Sequence, residues 1–138
     1  MKSLTFDEIA VGDKATFVKK IADTDVMEFS RLSGDVNPLH VDPSYASQTE
    51  FGRCLVHGMF IASLFSQLVG VHLPGKYCLY LTQELTFRNP VYVGDSVTIT
   101  GTVKSKSAGA KLVELSLQAI TNEGKVAVDG VAKVKVLK

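Results

Sequence analysis

The stretch from Val56 to Val69 constrains this chain more than any other. Its apolar residues, Val56, Met59, Phe60, Ile61, Leu64, Phe65, Leu68 and Val69, fall all round a helix rather than on one stripe. Such a helix is buried on most of its sides. His57, Ser63, Ser66 and Gln67 interrupt the run, and it is short for a membrane span. Gly70 is the expected stop.

The period changes from 3.6 to 2 after Tyr77. Tyr77 to Phe87 reads as a strand ended by Asn89-Pro90. Ser96 to Lys104 alternates Val97, Ile99, Gly101 and Val103 against threonines. Lys111 to Thr121 alternates Leu112, Glu114 and Ser116 against Val113, Leu115 and Leu117. Asn122-Glu123-Gly124 is a hairpin loop, and Lys125 to Leu137 alternates again through Val126, Val128, Val131, Val134 and Val136. This is the pattern of an antiparallel sheet with one solvated face. Before the apolar helix come a strand over Lys14 to Ile21 and a helix beginning near Val26, capped by Thr24 or Asp25 and stopped at Gly34. Asp35 to His40 is irregular, and Pro43 to Ala46 forms a short second helix.

One sheet must cover one apolar helix, with no second layer for the other side. A curved antiparallel sheet wrapped round a long central helix meets that need, which is the α+β hot-dog architecture. It occupies residues 1–138 as one domain. Some apolar surface is left over, so a homodimer with its sheets joined edge to edge is expected.

Composition removes several function classes. A net charge of +1 gives no footing for a nucleic-acid partner. Lysines gather toward the C-terminus, as solvated strand faces or as a weak field for an anionic ligand. Two cysteines, Cys54 and Cys78, are too few for a disulfide scaffold and read as buried thiols of a reducing cytoplasm. The first residues show no apolar run, so neither a secretory signal nor membrane association is expected. Gly-x-Ser-x-Gly, phosphate-cradling and dinucleotide-binding glycine patterns are absent. Cys54 and His57 have metal-like spacing, but no second cysteine pair accompanies them, so no metal is expected.

Chemistry concentrates in Leu32-Ser33-Gly34-Asp35-Val36-Asn37-Pro38-Leu39-His40-Val41-Asp42. A carboxylate and an imidazole lie five residues apart in a proline-stiffened loop. If the loop folds back, Asp35 accepts a hydrogen bond from a water and the His40 imidazole gives or takes a proton. Asn37 supports the loop through side-chain-to-backbone bonds. The competing reading is a helix end and a turn, in which Asp35 and Asn37 only satisfy backbone donors. Gly58 opens the buried helix, where N–H groups lack intrahelical partners and carry partial positive charge. Its N–H is a candidate oxyanion donor for a thioester carbonyl; alternatively, the glycine only lets the helix start pack closely.

The run Phe29-Ser30-Arg31-Leu32-Ser33-Gly34-Asp35-Val36-Asn37-Pro38-Leu39-His40-Val41-Asp42, with Phe51-Gly52 and Val56-His57-Gly58-Met59, closely resembles the MaoC-like or hydratase-2 family, which includes the (R)-specific enoyl-CoA hydratases. Phe6 to Asp13 and Arg88 to Asp95 fit as well, so the resemblance spans nearly the whole chain. It implies reversible hydration of a trans-2-enoyl-CoA to an (R)-3-hydroxyacyl-CoA, with Asp35 and His40 activating one water. It implies Gly58 N–H on the thioester oxygen, Ser63 orienting Asp35, and Asn37 supporting the loop. It also implies a homodimer without metal or redox cofactor, in which coenzyme A enters only as part of the substrate. The rival readings are a dehydratase of acyl carrier protein substrates, a non-catalytic acyl-thioester binding module and a thioesterase. Leu64, Phe65, Leu79 and Val131 are the candidates for closing the acyl pocket.

Overall fold

The computed structural model describes residues 1–138. In chain order the elements are β1 (Lys14–Lys20), α1 (Asp23–Ser33), α2 (Pro38–Val41), α3 (Pro43–Ser47), α4 (Gly58–Gln67), β2 (Cys78–Gln83), β3 (Thr86–Phe87), β4 (Ser96–Ser107), β5 (Leu112–Ile120) and β6 (Val126–Val136). A π-helical turn, Leu68–His72, continues α4. The strands form one antiparallel sheet in the order β1-β4-β5-β6-β2, with β3 also on β6. The sheet packs its inner face on α4, giving the hot-dog arrangement.

Alternation along β4 and β5 places the core as expected. Val97, Ile99 and Val103 face inward from β4, and Val113, Leu115, Leu117 and Ala119 from β5. They meet Ile61, Phe65, Leu68 and Val69 in one apolar cluster. Gly101 is the close-packing point, because a Cβ there would collide with Leu68 and Leu117. A side chain at this strand position would push the helix off the sheet.

The structure departs from the expected pattern at several places. The strand read as Tyr77 to Phe87 is split: β2 and β3 pair with β6 on either side of Gly130, against which Glu84 turns its carbonyl. A Cβ on residue 130 would overlap that carbonyl, so the strand crosses only over a glycine. In β6 a register shift opposite Ala119 and Ile120 buries both Ala127 and Val128, leaving Val126 and Val131 half-buried. Such a shift breaks period-2 reading. Gly70 does not stop the central helix but lies within the π-helical turn. α1 begins at Asp23, with Asp25 accepting the Ala22 N–H at 2.9 Å, rather than near Val26.

α4 is buried through Phe60, Ile61, Ala62, Leu64 and Phe65, while Met59, Ser63, Ser66 and Gln67 lie along an exposed stripe. No helix is long and apolar enough to cross a membrane.

Candidate active site

Three features converge at the N-terminus of α4. The first is the loop between α1 and α2. Gly34 ends α1 at φ 80°, a left-handed conformation that glycine adopts freely, and its N–H donates to Ser30 O. The next turns are tied by side chains. Asp35 N–H donates to Ser33 Oγ at 3.2 Å, Asn37 N–H to Asp35 Oδ1 at 3.2 Å, and Leu39 N–H to Asn37 Oδ1 at 3.0 Å. Asn37 thereby caps α2, an unforeseen helical turn with Pro38 in its first position. That turn carries His40 back toward Asp35.

The second segment, Leu55–His57, is clamped from both sides. Leu55 N–H donates to Leu39 O at 3.1 Å, and Val56 N–H donates to Val91 O at 2.8 Å. His40 Nδ1 lies 2.8 Å from Leu55 O. A carbonyl oxygen only accepts, so Nδ1 carries the proton. In the neutral ring Nε2 is then left with its lone pair, free to take a proton from elsewhere.

The third feature is His57 itself, which sequence reasoning mentioned but gave no part in the chemistry. It is the N-cap residue of α4 and is 1% exposed. Its Nε2 lies 3.0 Å from Asp35 O and 3.2 Å from Ser30 Oγ. By the same argument Nε2 carries the proton and donates to the Asp35 carbonyl. Nδ1 is buried without a partner. Burial holds the His57 pKa below the ordinary histidine value, so the ring is neutral near pH 7. The one sequence signal for it was a polar residue set directly before Gly58 in an otherwise apolar run.

The structure brings Asp35, His40 and His57 together, with polar atoms within 4.8 Å of one another. The two imidazoles are stacked, 3.9 Å between centroids and 28° between planes. Each ring already spends one nitrogen on a main-chain carbonyl, His40 Nδ1 on Leu55 O and His57 Nε2 on Asp35 O. Cys54 stands outside this group, and burial raises its thiol pKa, which favours the protonated form over a ligating thiolate.

Gly58 lies beside His40 on a cavity of about 400 Å³ whose apolar walls include Phe51, Leu55, Ile61, Phe87, Val91 and Val128. Its N–H begins α4 and has no backbone acceptor. The residue also has a packing reason to be glycine: a Cβ would come within 2.7 Å of the Phe87 ring.

Ser63 is placed elsewhere. Its Oγ donates to Phe60 O at 2.6 Å, one turn back on its own helix, and it lines a separate groove with Phe29 and Gln67. It makes no bond to Asp35, because at its position on α4 it points along the exposed stripe. The serine tied to the site is Ser30 of α1, 2% exposed. The expected pocket-closing residues also lie apart from this cavity. Phe65 is core, Leu64 borders the Ser63 groove, Leu79 is half-exposed on the edge strand, and Val131 borders a polar cleft with Glu84 and Lys133. The split of the second strand and the shift in β6 account for Leu79 and Val131, whereas Leu64 and Phe65 sit on α4 and face other surroundings.

Comparison with known proteins places this geometry. Residues 8–124 match the family model described as MaoC like domain. The chain is 43% identical to an (R)-specific enoyl-CoA hydratase of Aeromonas caviae over 132 residues, 96% of this chain and 98% of that one. It is 35% identical to a mitochondrial 3-hydroxyacyl-[acyl-carrier-protein] dehydratase of Solanum lycopersicum, covering 90% of this chain and 75% of that one. The solved structure of the A. caviae (R)-hydratase superposes with a TM-score of 0.91 at 44% identity, over 93% of this chain and 97% of that one. With 96% of its length matched in sequence and 93% in fold, this chain belongs to the MaoC-like domain family.

Proposed function

We propose that the chain is a hydro-lyase that reversibly adds water to a trans-2-enoyl-CoA, giving the (R)-3-hydroxyacyl-CoA. The observation that carries this is the meeting of Asp35 and His40 beside an apolar cavity that also holds an unpaired helix N–H at Gly58. The Asp35 carboxylate and His40 Nε2 hold one water. His40 Nε2 takes a proton from it as the oxygen bonds to C3, and the C2–C3 π electrons move toward the thioester. Gly58 N–H takes the negative charge that builds on the thioester oxygen, a contribution of about 3 kcal/mol for such a donor. The proton taken up by His40 Nε2 is then passed to C2, which completes the addition of H and OH from one water and returns the imidazole to its neutral form. Water is the one co-reactant. The step needs no metal or redox cofactor, and coenzyme A takes part only as the carrier of the acyl group.

The similarity to an acyl-carrier-protein dehydratase supports a second reading, in which the same residues act on a carrier-protein thioester. The acid–base step is identical, and the two differ in what lies outside the cavity.

We propose a homodimer as the working unit. The outer edge of β2 is unpaired and carries Leu79 and Leu81, each about half exposed. A long edge with apolar side chains is a template for pairing. Two free thiols fit a reducing compartment such as the cytoplasm.

The test is to mix the protein with crotonyl-CoA, follow loss of the enoyl thioester absorbance, and couple the product to an (R)- or an (S)-specific 3-hydroxyacyl-CoA dehydrogenase. Loss of absorbance with product taken only by the (R)-specific enzyme supports the proposal. Turnover confined to the acyl carrier protein thioester establishes the second reading. Release of free thiol, seen with DTNB, or no turnover with short or long acyl chains on either carrier, refutes both.

A further inference from the structure

We propose that His57 is a positioning residue that sets the spacing between the water-activating pair and the oxyanion donor. This deepens the hydratase reading and rests on it. The ring belongs to the segment that leads into Gly58, so its backbone and the candidate oxyanion N–H move together. Its Nε2–H reaches the main-chain carbonyl of Asp35 at 3.0 Å. Its face lies against the His40 ring at 3.9 Å between centroids. One buried side chain thus touches both members of the pair while being covalently joined to the third group.

The opposite face of the arrangement is closed as well. Ser30 Oγ, from α1, lies 3.2 Å from His57 Nε2, and Phe29 packs on the His57 ring with centroids 5.0 Å apart. The ring therefore cannot swing without giving up a bond on one side and a stack on the other. Both stacked rings are assigned opposite tautomers by their acceptors: Nδ1–H on His40, toward Leu55 O, and Nε2–H on His57, toward Asp35 O. The buried, unpartnered Nδ1 of His57 is the cost of this choice. A buried acceptor left bare is unfavourable, and the fold tolerates it where the other nitrogen has a fixed duty. Groups acting on one substrate must be held close to their productive separation, and a misplacement of about 1 Å can cost on the order of 10²-fold in rate.

Two measurements test this. The chain has only three histidines, so long-range ¹H–¹⁵N correlation at neutral pH resolves each ring. We expect His57 protonated on Nε2 alone and His40 on Nδ1. Protonation of His57 on Nδ1 instead removes the bond to Asp35 and overturns the proposal. The second is kinetic. His57→Phe keeps the stack but loses the donor, whereas His57→Gln restores an N–H close to Nε2. We expect His57→Phe to lower kcat on the order of 10²-fold with KM within about twofold of wild type, the pattern of a lost transition-state alignment. We expect His57→Gln to recover part of that loss. A folded His57→Phe with unchanged kcat overturns the proposal, as does a His57→Gln no faster than His57→Phe. If His57→Phe does not fold, the tautomers of the wild-type protein still decide. If the wild-type protein hydrates no enoyl thioester, the hydratase reading fails, and the tautomer result separately reports whether the strut exists.

Discussion

The imidazole rings of His40 and His57 lie face to face, 3.9 Å apart, yet donate in different directions. His40 is anchored through Nδ1 to Leu55 O and keeps Nε2 free, and His57 is anchored through Nε2 to Asp35 O. The outer ring is half-buried and borders the cavity, while the inner one is enclosed. One is placed to exchange protons with a substrate, the other to stay neutral.

Asp35→Asn keeps the shape of the loop, because an amide oxygen still accepts the Asn37 N–H. It removes the charge that holds and polarises water. The expected result is an unchanged far-UV spectrum with turnover of crotonyl-CoA reduced by roughly 10²–10⁴-fold. Near-normal turnover would leave Asp35 as a turn residue only.

His40→Gln should fold as well, since the side chain is half-buried and its anchor to Leu55 O is only one of several bonds across this segment. Loss of the proton carrier should again cost roughly 10²–10⁴-fold in kcat. The double variant with Asp35→Asn should be little worse than either alone, because two groups acting on one water fail together. Additive losses measured by steady-state kinetics would argue for independent roles.

Ser63→Ala separates this arrangement from one in which Ser63 orients Asp35. Its hydroxyl is bonded to Phe60 O within α4 and faces another groove. Turnover should stay within about twofold of wild type, as for a substitution that touches no part of the reacting geometry. A loss approaching that of Asp35→Asn would mean that Ser63 reaches the site after all.

Gly58→Ala places a Cβ within 2.7 Å of the Phe87 ring. Overpacking of this kind costs about 1–3 kcal/mol, readable as a lowered midpoint in urea. Phe87→Ala in the same chain should relieve the clash, so the double variant should be more stable than the sum of the two single losses predicts. Simple additivity would show that the helix start accommodates the methyl group by other means.

Stability should weaken in mild acid because of His57. Its pKa in the folded protein is below the ordinary value, so the unfolded chain binds a proton more readily than the folded one. The stabilisation is complete above about pH 6.5 and declines as pH falls from there through the lowered folded value. Urea unfolding between pH 7 and 5 should show this slope in the wild-type protein and a flatter one in His57→Gln. Equal slopes would place the proton uptake on another group.

The sequence by itself determined the layers. An apolar helix flanked by period-2 strands leaves few ways to bury both, and Val97, Ile99, Val113, Leu115 and Leu117 fell on the inner face where alternation put them. It also placed Asp35 and His40 in one stiffened loop, because the residues that build that loop, Gly34, Asn37 and Pro38, act locally through backbone angle and side-chain-to-backbone bonds. Tertiary structure alone decided what lies beside them. Ser30 reaches the site from α1 and Leu55 and His57 from the segment leading into α4, and no local pattern records a hydrogen bond between residues 22 or 27 positions apart. The cavity walls were decided in the same way. They follow from the strand crossing at Gly130 and the register shift in β6, where packing against neighbouring strands overrides alternation, so Phe87 and Val128 line the pocket while Leu79 and Val131 do not.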